Sequence, residues 1–109
     1  MKFTRVDRGD HTVLVVEGVL DALTAPEIRP TIDALVQEQR PCVVVDVAGL
    51  RLIDSSGVGV IVSLFKRCKA FGGVVRVEGL ANQPLAIFRL LRLERVLCAK
   101  AKAPEGLGR

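Results

Sequence analysis

The chain is poor in the residue types that most often mark a reactive or aromatic-lined site. Its 109 residues include no Trp, no Tyr, four Phe and a single His. A groove for single-stranded nucleic acid usually stacks bases on aromatic side chains, and such side chains are too scarce here. The lone His11 falls in a predicted turn, which leaves no obvious base to activate a nucleophile. We therefore expect neither an enzyme nor a direct nucleic-acid binder.

Cysteines and long apolar runs are equally scarce. The three cysteines are odd in number and far apart in sequence, which predicts buried small hydrophobic residues rather than disulfides or metal ligands: Cys42, Cys68 and Cys98. The longest apolar stretch, 58–65, is interrupted by Gly59 and Ser63 and is far short of the ~20 residues that cross a bilayer. These observations predict a cytoplasmic protein with no membrane insertion, no metal and no cofactor.

The net charge of +4 is concentrated near the C-terminus. Residues 1–80 are balanced, whereas residues 81–109 hold six basic and two acidic side chains. Arg89, Arg92 and Arg95 recur every three residues and would form one stripe on a helix. Their pattern is typical of a solvated helix face, and a surface for an acidic protein partner is the alternative.

The order of apolar segments predicts an α/β fold in one domain, 1–102, with a flexible C-terminal tail, 103–109. Segments 2–7 and 13–16 form an antiparallel hairpin, because Gly9 lies in the turn between them. The later half alternates strand and helix, which favours parallel pairing through right-handed crossovers. The expected result is a mixed β-sheet covered by three to four helices, with strands at 42–45, 74–77 and 96–98 and a loop at 48–53.

Two helix starts are predicted from their capping residues. Thr24 precedes the first helix, and Glu27 stands three residues later, as in a capping box. Pro30 predicts a local kink or a late start, because its ring lacks an N–H donor. A third helix begins around Asn82 and Pro84, with an apolar side made of Leu85, Ile87, Phe88 and Leu91.

The second predicted helix, 55–70, is unusual on its outer side. Asp54 or Ser55 is the expected N-cap. At 100° per residue the side opposite the core carries mostly small residues, namely Ser56, Gly59 and Ser63. Each glycine within a helix costs ~1 kcal/mol relative to Ala. Glycines at both 57 and 59 therefore suggest close approach by another chain, to which Val60 on the flank would add apolar contact area.

Four segments in register resemble the anti-sigma factor antagonists, a family of single STAS domains. The resemblance spans nearly all of residues 10–100. It rests on Gly18-Val19-Leu20-Asp21 with Thr24-Ala25, on Val43-Val44-Val45-Asp46-Val47-Ala48-Gly49-Leu50, on Ile53-Asp54-Ser55-Ser56-Gly57-Val58-Gly59-Val60, and on the glycine pair Gly72-Gly73.

The resemblance implies a STAS-like sheet and a phosphorylation switch at Ser55. In that family an anti-sigma factor with serine kinase activity modifies the serine after the motif's Asp, and a serine phosphatase reverses the step. The unmodified form binds the anti-sigma factor and releases the sigma factor, and the phosphorylated form does not. The partner-binding surface expected here comprises Asp21, Thr24, Asp54, Ser55, Ser56, Gly57, Gly59, Val60 and Ser63.

Two other functions fit the same residues. The alternative interpretation is a STAS subunit of a larger assembly, such as a stress-signalling complex or a lipid-transport ABC system, with a constitutive contact in place of a switch. A nucleotide- or lipid-binding module is the weaker alternative, because Gly57 and Gly59 lie within a predicted helix and no Lys follows at the spacing of a phosphate-binding loop.

Overall fold

A computed structural model of the protein describes residues 1–97. The elements follow in the order β1 (Lys2–Asp7), β2 (Thr12–Leu20), α1 (Ala25–Gln37), β3 (Cys42–Asp46), β4 (Leu50–Ile53), α2 (Ser55–Ala70), β5 (Val74–Glu78), α3 (Asn82–Leu90) and α4 (Glu94–Leu97). Strands β1 and β2 pair antiparallel, and every other pairing is parallel. The predicted mixed sheet with an antiparallel N-terminal hairpin and four covering helices is confirmed.

Strand β2 changes its parallel partner halfway along its length. Thr12–Val15 pair with β3, whereas Gly18–Leu20 pair with β4 across a register shift between Gly18 and Val19. The bend occurs at Gly18, whose φ of 88° is accessible to glycine at little cost. Beyond this bend β2 pairs with β4, and the chain passes from β4 directly into α2.

The core is aliphatic, as the lack of aromatics requires. One face of the sheet buries alternate residues of β2, β3 and β5, which pack under α1 and α2. The fully buried members include Leu14, Val43, Leu64 and Phe88. Cys68 is also buried, and desolvation raises the pKa of its thiol, as expected of a structural cysteine. Cys42 is half-buried, and Cys98 lies outside the described residues.

Several boundaries predicted from sequence are wrong. Residues 50–53 form β4 rather than a loop, because the far end of β2 supplies a strand for them to pair with. Val96 and Leu97 lie in α4 rather than a fifth strand, with both N–H groups donating to the Leu93 carbonyl. A short apolar run fits either structure, so the sequence alone did not distinguish them. The predicted tail, 103–109, lies outside the described residues.

The helix starts are correct, with two differences in detail. Helix α1 continues through Pro30. Thr24 makes no side-chain capping bond to α1, so the predicted capping box is wrong. On α3, Phe88 is buried and Ile87 packs against the core as predicted, whereas Leu91 is exposed just beyond the end of the helix. None of the helices in residues 1–97 has the length and apolar character needed to cross a membrane.

Candidate functional site

Ser55 is the first residue of α2 and is exposed to solvent. Asp54 is the N-cap, and its Oδ1 accepts a hydrogen bond from the Gly57 N–H at 3.0 Å. The Asp54 carbonyl accepts the N–H of Val58 at 2.9 Å, which starts the helical ladder. A capping aspartate of this kind stabilises a helix by about 1 kcal/mol. The cap therefore fixes the orientation of the turn that presents Ser55.

Asp54 also joins α2 to the connection between β2 and α1. Its second oxygen, Oδ2, accepts the backbone N–H of Ala22 at 3.2 Å, and its own N–H donates to the Leu20 carbonyl at 3.2 Å. Both carboxylate oxygens of Asp54 thus bind backbone donors. This geometry does not make Asp54 a base for the adjacent hydroxyl of Ser55.

The connection between β2 and α1 is a hydrogen-bonded turn. Asp21 Oδ1 accepts the N–H groups of Leu23 and Thr24 at 3.0 and 3.1 Å. The Thr24 hydroxyl accepts the N–H of Asp21 at 2.9 Å and donates to the Val19 carbonyl at 3.0 Å. The structure therefore brings Asp21 and Thr24 next to Asp54, where their polar atoms hold the turn together.

The glycines of α2 have different surroundings. A Cβ at Gly57 would lie 2.5 Å from the Leu20 carbonyl oxygen and 2.6 Å from Ile53 Cγ1, whereas a Cβ at Gly59 would meet nothing within 4 Å. Gly57 is therefore required for packing α2 against β2 and β4, and its place in the partner-binding surface stays a prediction. Val60 is only 5% exposed, so most of its apolar area is already used by the core.

The small residues of α2 border a groove shared with α1. Ser56, Gly59 and Ser63 line a depression of about 370 Å³, with Arg29 on α1 at its side. An ion pair between Arg67 and Asp33, 2.8 Å apart, crosses from α2 to α1. The small side chains thus leave the backbone of α2 open toward solvent beside α1.

Sequence analysis missed two residues at this end of the sheet. The Gln83 carboxamide accepts the Ile53 N–H and donates to the Ile53 carbonyl, both at 2.9 Å, so it pairs the free edge of β4 as a neighbouring strand would. Leu23 is 86% exposed at the tip of the β2–α1 turn. The available signal for Leu23 was its position between two turn-forming residues, Asp21 and Thr24.

The groups associated with acid–base chemistry lie elsewhere. His11 is in the β1–β2 connection, where its Nδ1 is 2.7 Å from Asp10. Within residues 1–97, no group of three or more His, Cys, Asp or Glu side chains is arranged to hold a metal ion. Ser55 itself is exposed at the start of α2, on the turn capped by Asp54.

Comparison with known proteins gives a consistent pattern. Residues 3–99 match the family model described as "Mlab, STAS domain". The Anti-sigma-B factor antagonist of Bacillus subtilis (strain 168) is 28% identical over 92 residues, which cover 84% of each chain. The corresponding protein of Listeria monocytogenes is 25% identical over 88 residues, covering 81% of this chain and 77% of the relative.

Solved structures show the same fold. SpoIIAA, an anti-sigma factor antagonist solved in its unphosphorylated form, superposes with a TM-score of 0.70 at 20% identity, covering 82% of this chain and 83% of SpoIIAA. An anti-sigma factor antagonist from Mycobacterium paratuberculosis superposes with a TM-score of 0.72 at 22% identity, covering 97% and 86% of the two chains. At these identities the likeness concerns the fold alone.

Proposed function

Since the chain belongs to the STAS-domain family, we propose that it is an anti-sigma factor antagonist whose partner binding is switched off by phosphorylation of Ser55. The unmodified chain binds an anti-sigma factor that is also a serine kinase, and a serine phosphatase restores that state. The observation that carries the proposal is the exposure of Ser55 at the start of α2 on a turn fixed by Asp54.

The chemistry of the switch requires only an accessible hydroxyl. The kinase transfers the γ-phosphoryl group of ATP to Ser55 Oγ, so the new O–P bond forms as the bond to the β-phosphate breaks and the hydroxyl proton leaves. The phosphoryl group adds a charge of about −1.5 to −2 at neutral pH. Within the domain the N-terminus of α2 tolerates this charge, because the helix dipole is positive there.

At an interface the same charge opposes binding. A partner seated on Ser55 would remove the phosphate from water next to the carboxylate of Asp54, and that desolvation is costly without a matching cation. The domain would therefore keep its fold while losing its partner, which a reversible switch needs. The exposed turn and open α2 surface support this separation of folding from binding.

The primary test measures binding of purified variants to the anti-sigma factor kinases of the source organism. We expect Ser55→Asp to lose at least a hundredfold in affinity and Ser55→Ala to bind persistently in the presence of ATP. Thr4→Asp, an exposed position on β1, provides a charge-matched control that retains binding. A folded Ser55→Asp protein with unchanged affinity would contradict the proposal.

A constitutive STAS subunit of a larger assembly is the second candidate. The family model that matches the chain is described as "Mlab, STAS domain" and not as an anti-sigma factor antagonist, and this description favours the second candidate. The same α2 surface would then bind its partner without phosphate turnover. Incubation with each kinase and ATP, followed by intact-mass measurement, separates the two. A single phosphoryl gain that Ser55→Ala abolishes and Ser56→Ala retains supports the switch, and no gain with any kinase supports the constitutive subunit.

A further inference from the structure

The most exposed large apolar side chain in residues 1–97 lies next to the switch serine. Leu23 is 86% exposed and the adjacent Ala22 is also exposed, whereas Thr24 is half-buried and Ala25 is buried. Apolar side chains scattered singly on a surface are ordinary and need no explanation. The position of Leu23 beside Ser55 and the way its backbone is held distinguish it.

The backbone of Leu23 is fixed rather than free. Its N–H donates to Asp21 Oδ1 at 3.0 Å, and the preceding N–H, of Ala22, donates to Asp54 Oδ2 at 3.2 Å. The Thr24 hydroxyl closes the turn on its other side through Asp21 and Val19. A side chain that starts from an ordered backbone loses less entropy when a partner immobilises it.

The hydrogen bond from the Ala22 N–H to Asp54 Oδ2 also limits the distance between Leu23 and Ser55. Leu23 directly follows Ala22 in the chain, and Ser55 directly follows Asp54. Consecutive Cα atoms are about 3.8 Å apart, so both residues lie well within the ~16 Å radius of an ordinary interface that buries ~800 Å² on each partner. A protein whose interface is centred on Ser55 would therefore also reach Leu23.

We propose that Leu23 is an apolar anchor that inserts into a recess of the same anti-sigma factor kinase that binds over Ser55. This inference rests on the proposed function and adds the chemistry of the contact. Asp21 and Asp54 bind backbone donors within the chain, so their carboxylates are engaged in holding the surface. Leu23 supplies apolar area that the fold leaves unused. Ser55 determines whether the complex forms, and Leu23 determines how tightly it holds.

The test compares Leu23→Ser with a matched control, Leu90→Ser. Leu90 is 79% exposed at the end of α3, about 10 Å along the helix axis from Gln83, which contacts Ile53. Neither leucine belongs to the core, so both variants should melt close to the unmodified protein. We expect Leu23→Ser to weaken binding of the unphosphorylated chain to its kinase by at least about tenfold. Leu90→Ser and Leu23→Met should stay within about twofold.

The outcomes separate this inference from the proposed function. If Leu23→Ser binds like the unmodified chain while Ser55→Asp does not bind, the anchor is refuted and the switch remains. Equal weakening by Leu23→Ser and Leu90→Ser also refutes it, because the effect would not be specific to the surface around Ser55. If the unmodified chain binds none of the kinases, both the proposed partner and the role of Leu23 as an anchor are refuted.

Discussion

Two clusters of carboxylates, at opposite ends of the sheet, are held in different ways. Where the parallel strands end, Asp21 and Asp54 accept hydrogen bonds from backbone N–H groups of the β2–α1 turn and of the first turn of α2. At the opposite end, Asp7 and Glu38 pair with the Arg5 guanidinium. Among the ion pairs of residues 1–97, none includes Asp21 or Asp54.

The two clusters therefore differ in how strongly their contribution to stability depends on charge and pH. Hydrogen bonding to Arg5 lowers the pKa of Glu38 and of Asp7, so the stability of that end depends on pH. The turn that carries Ser55 is held by close packing and by neutral backbone donors. Hydrogen bonds to Asp21 and Asp54 therefore hold that turn without a charged partner for either carboxylate among residues 1–97.

The largest expected effect on stability comes from Gly57, at the end that carries Ser55. Gly57→Ala places a methyl group 2.5 Å from the Leu20 carbonyl oxygen and should lower the free energy of unfolding by about 1–3 kcal/mol or more. Gly59→Ala is the matched control on the same helix, and should raise it by up to about 1 kcal/mol because nothing lies near the added methyl. Urea unfolding measures both. Equal effects at the two positions would contradict the close packing at Gly57.

An intermediate effect is expected for Asp54. Asp54→Ala removes the acceptors for Gly57 and Ala22 and should lower the free energy of unfolding by about 1–2 kcal/mol. Asp54→Asn keeps one acceptor oxygen and the capping geometry, so it should recover a large part of the loss. The amide N–H of Ala22 should also exchange faster with solvent in Asp54→Ala. Unchanged exchange would show that Asp54 does not hold the turn.

The smallest effect at neutral pH is expected for Glu38, at the opposite end. The pKa of Glu38 is lowered by folding, so its ion pair with Arg5 stabilises the protein above the unfolded value of about 4.3 and loses that contribution as the pH falls through the lower folded value. Glu38→Gln should therefore flatten the loss of stability on acidification, and added salt should reduce the difference from the unmodified chain. Denaturant midpoints between neutral and acidic pH provide the measurement. Parallel curves for the two proteins would be the contrary result.

Much of the fold could be predicted because its signals are local. The span of α2, Ser55–Ala70, follows from the capping residue before it and the glycine pair after it. The antiparallel hairpin and the parallel later strands follow from turn residues and from the alternation of elements. These features depend on neighbours in sequence, so the pattern was sufficient to predict them.

The errors arose where a distant partner decides the structure. Strand β4 exists because the bent end of β2 lies beside it and because Gln83, thirty residues later, pairs its other edge. Leu97 is buried against the rest of the core from a helix rather than a strand. No local pattern encodes such contacts, so β4 was predicted as a loop and α4 as a strand.

The sequence by itself determined that an aspartate would begin α2 with a serine directly after it, because helix capping is a local preference. It also determined an aliphatic core, because the chain has few aromatic residues. Only the tertiary structure decided that Gly57 would be buried and Gly59 open, that Asp54 would reach Ala22 in another connection, and that Leu23 would be left exposed beside Ser55. The physical reason is that burial and close approach depend on residues brought together by folding, which spacing along the chain does not specify.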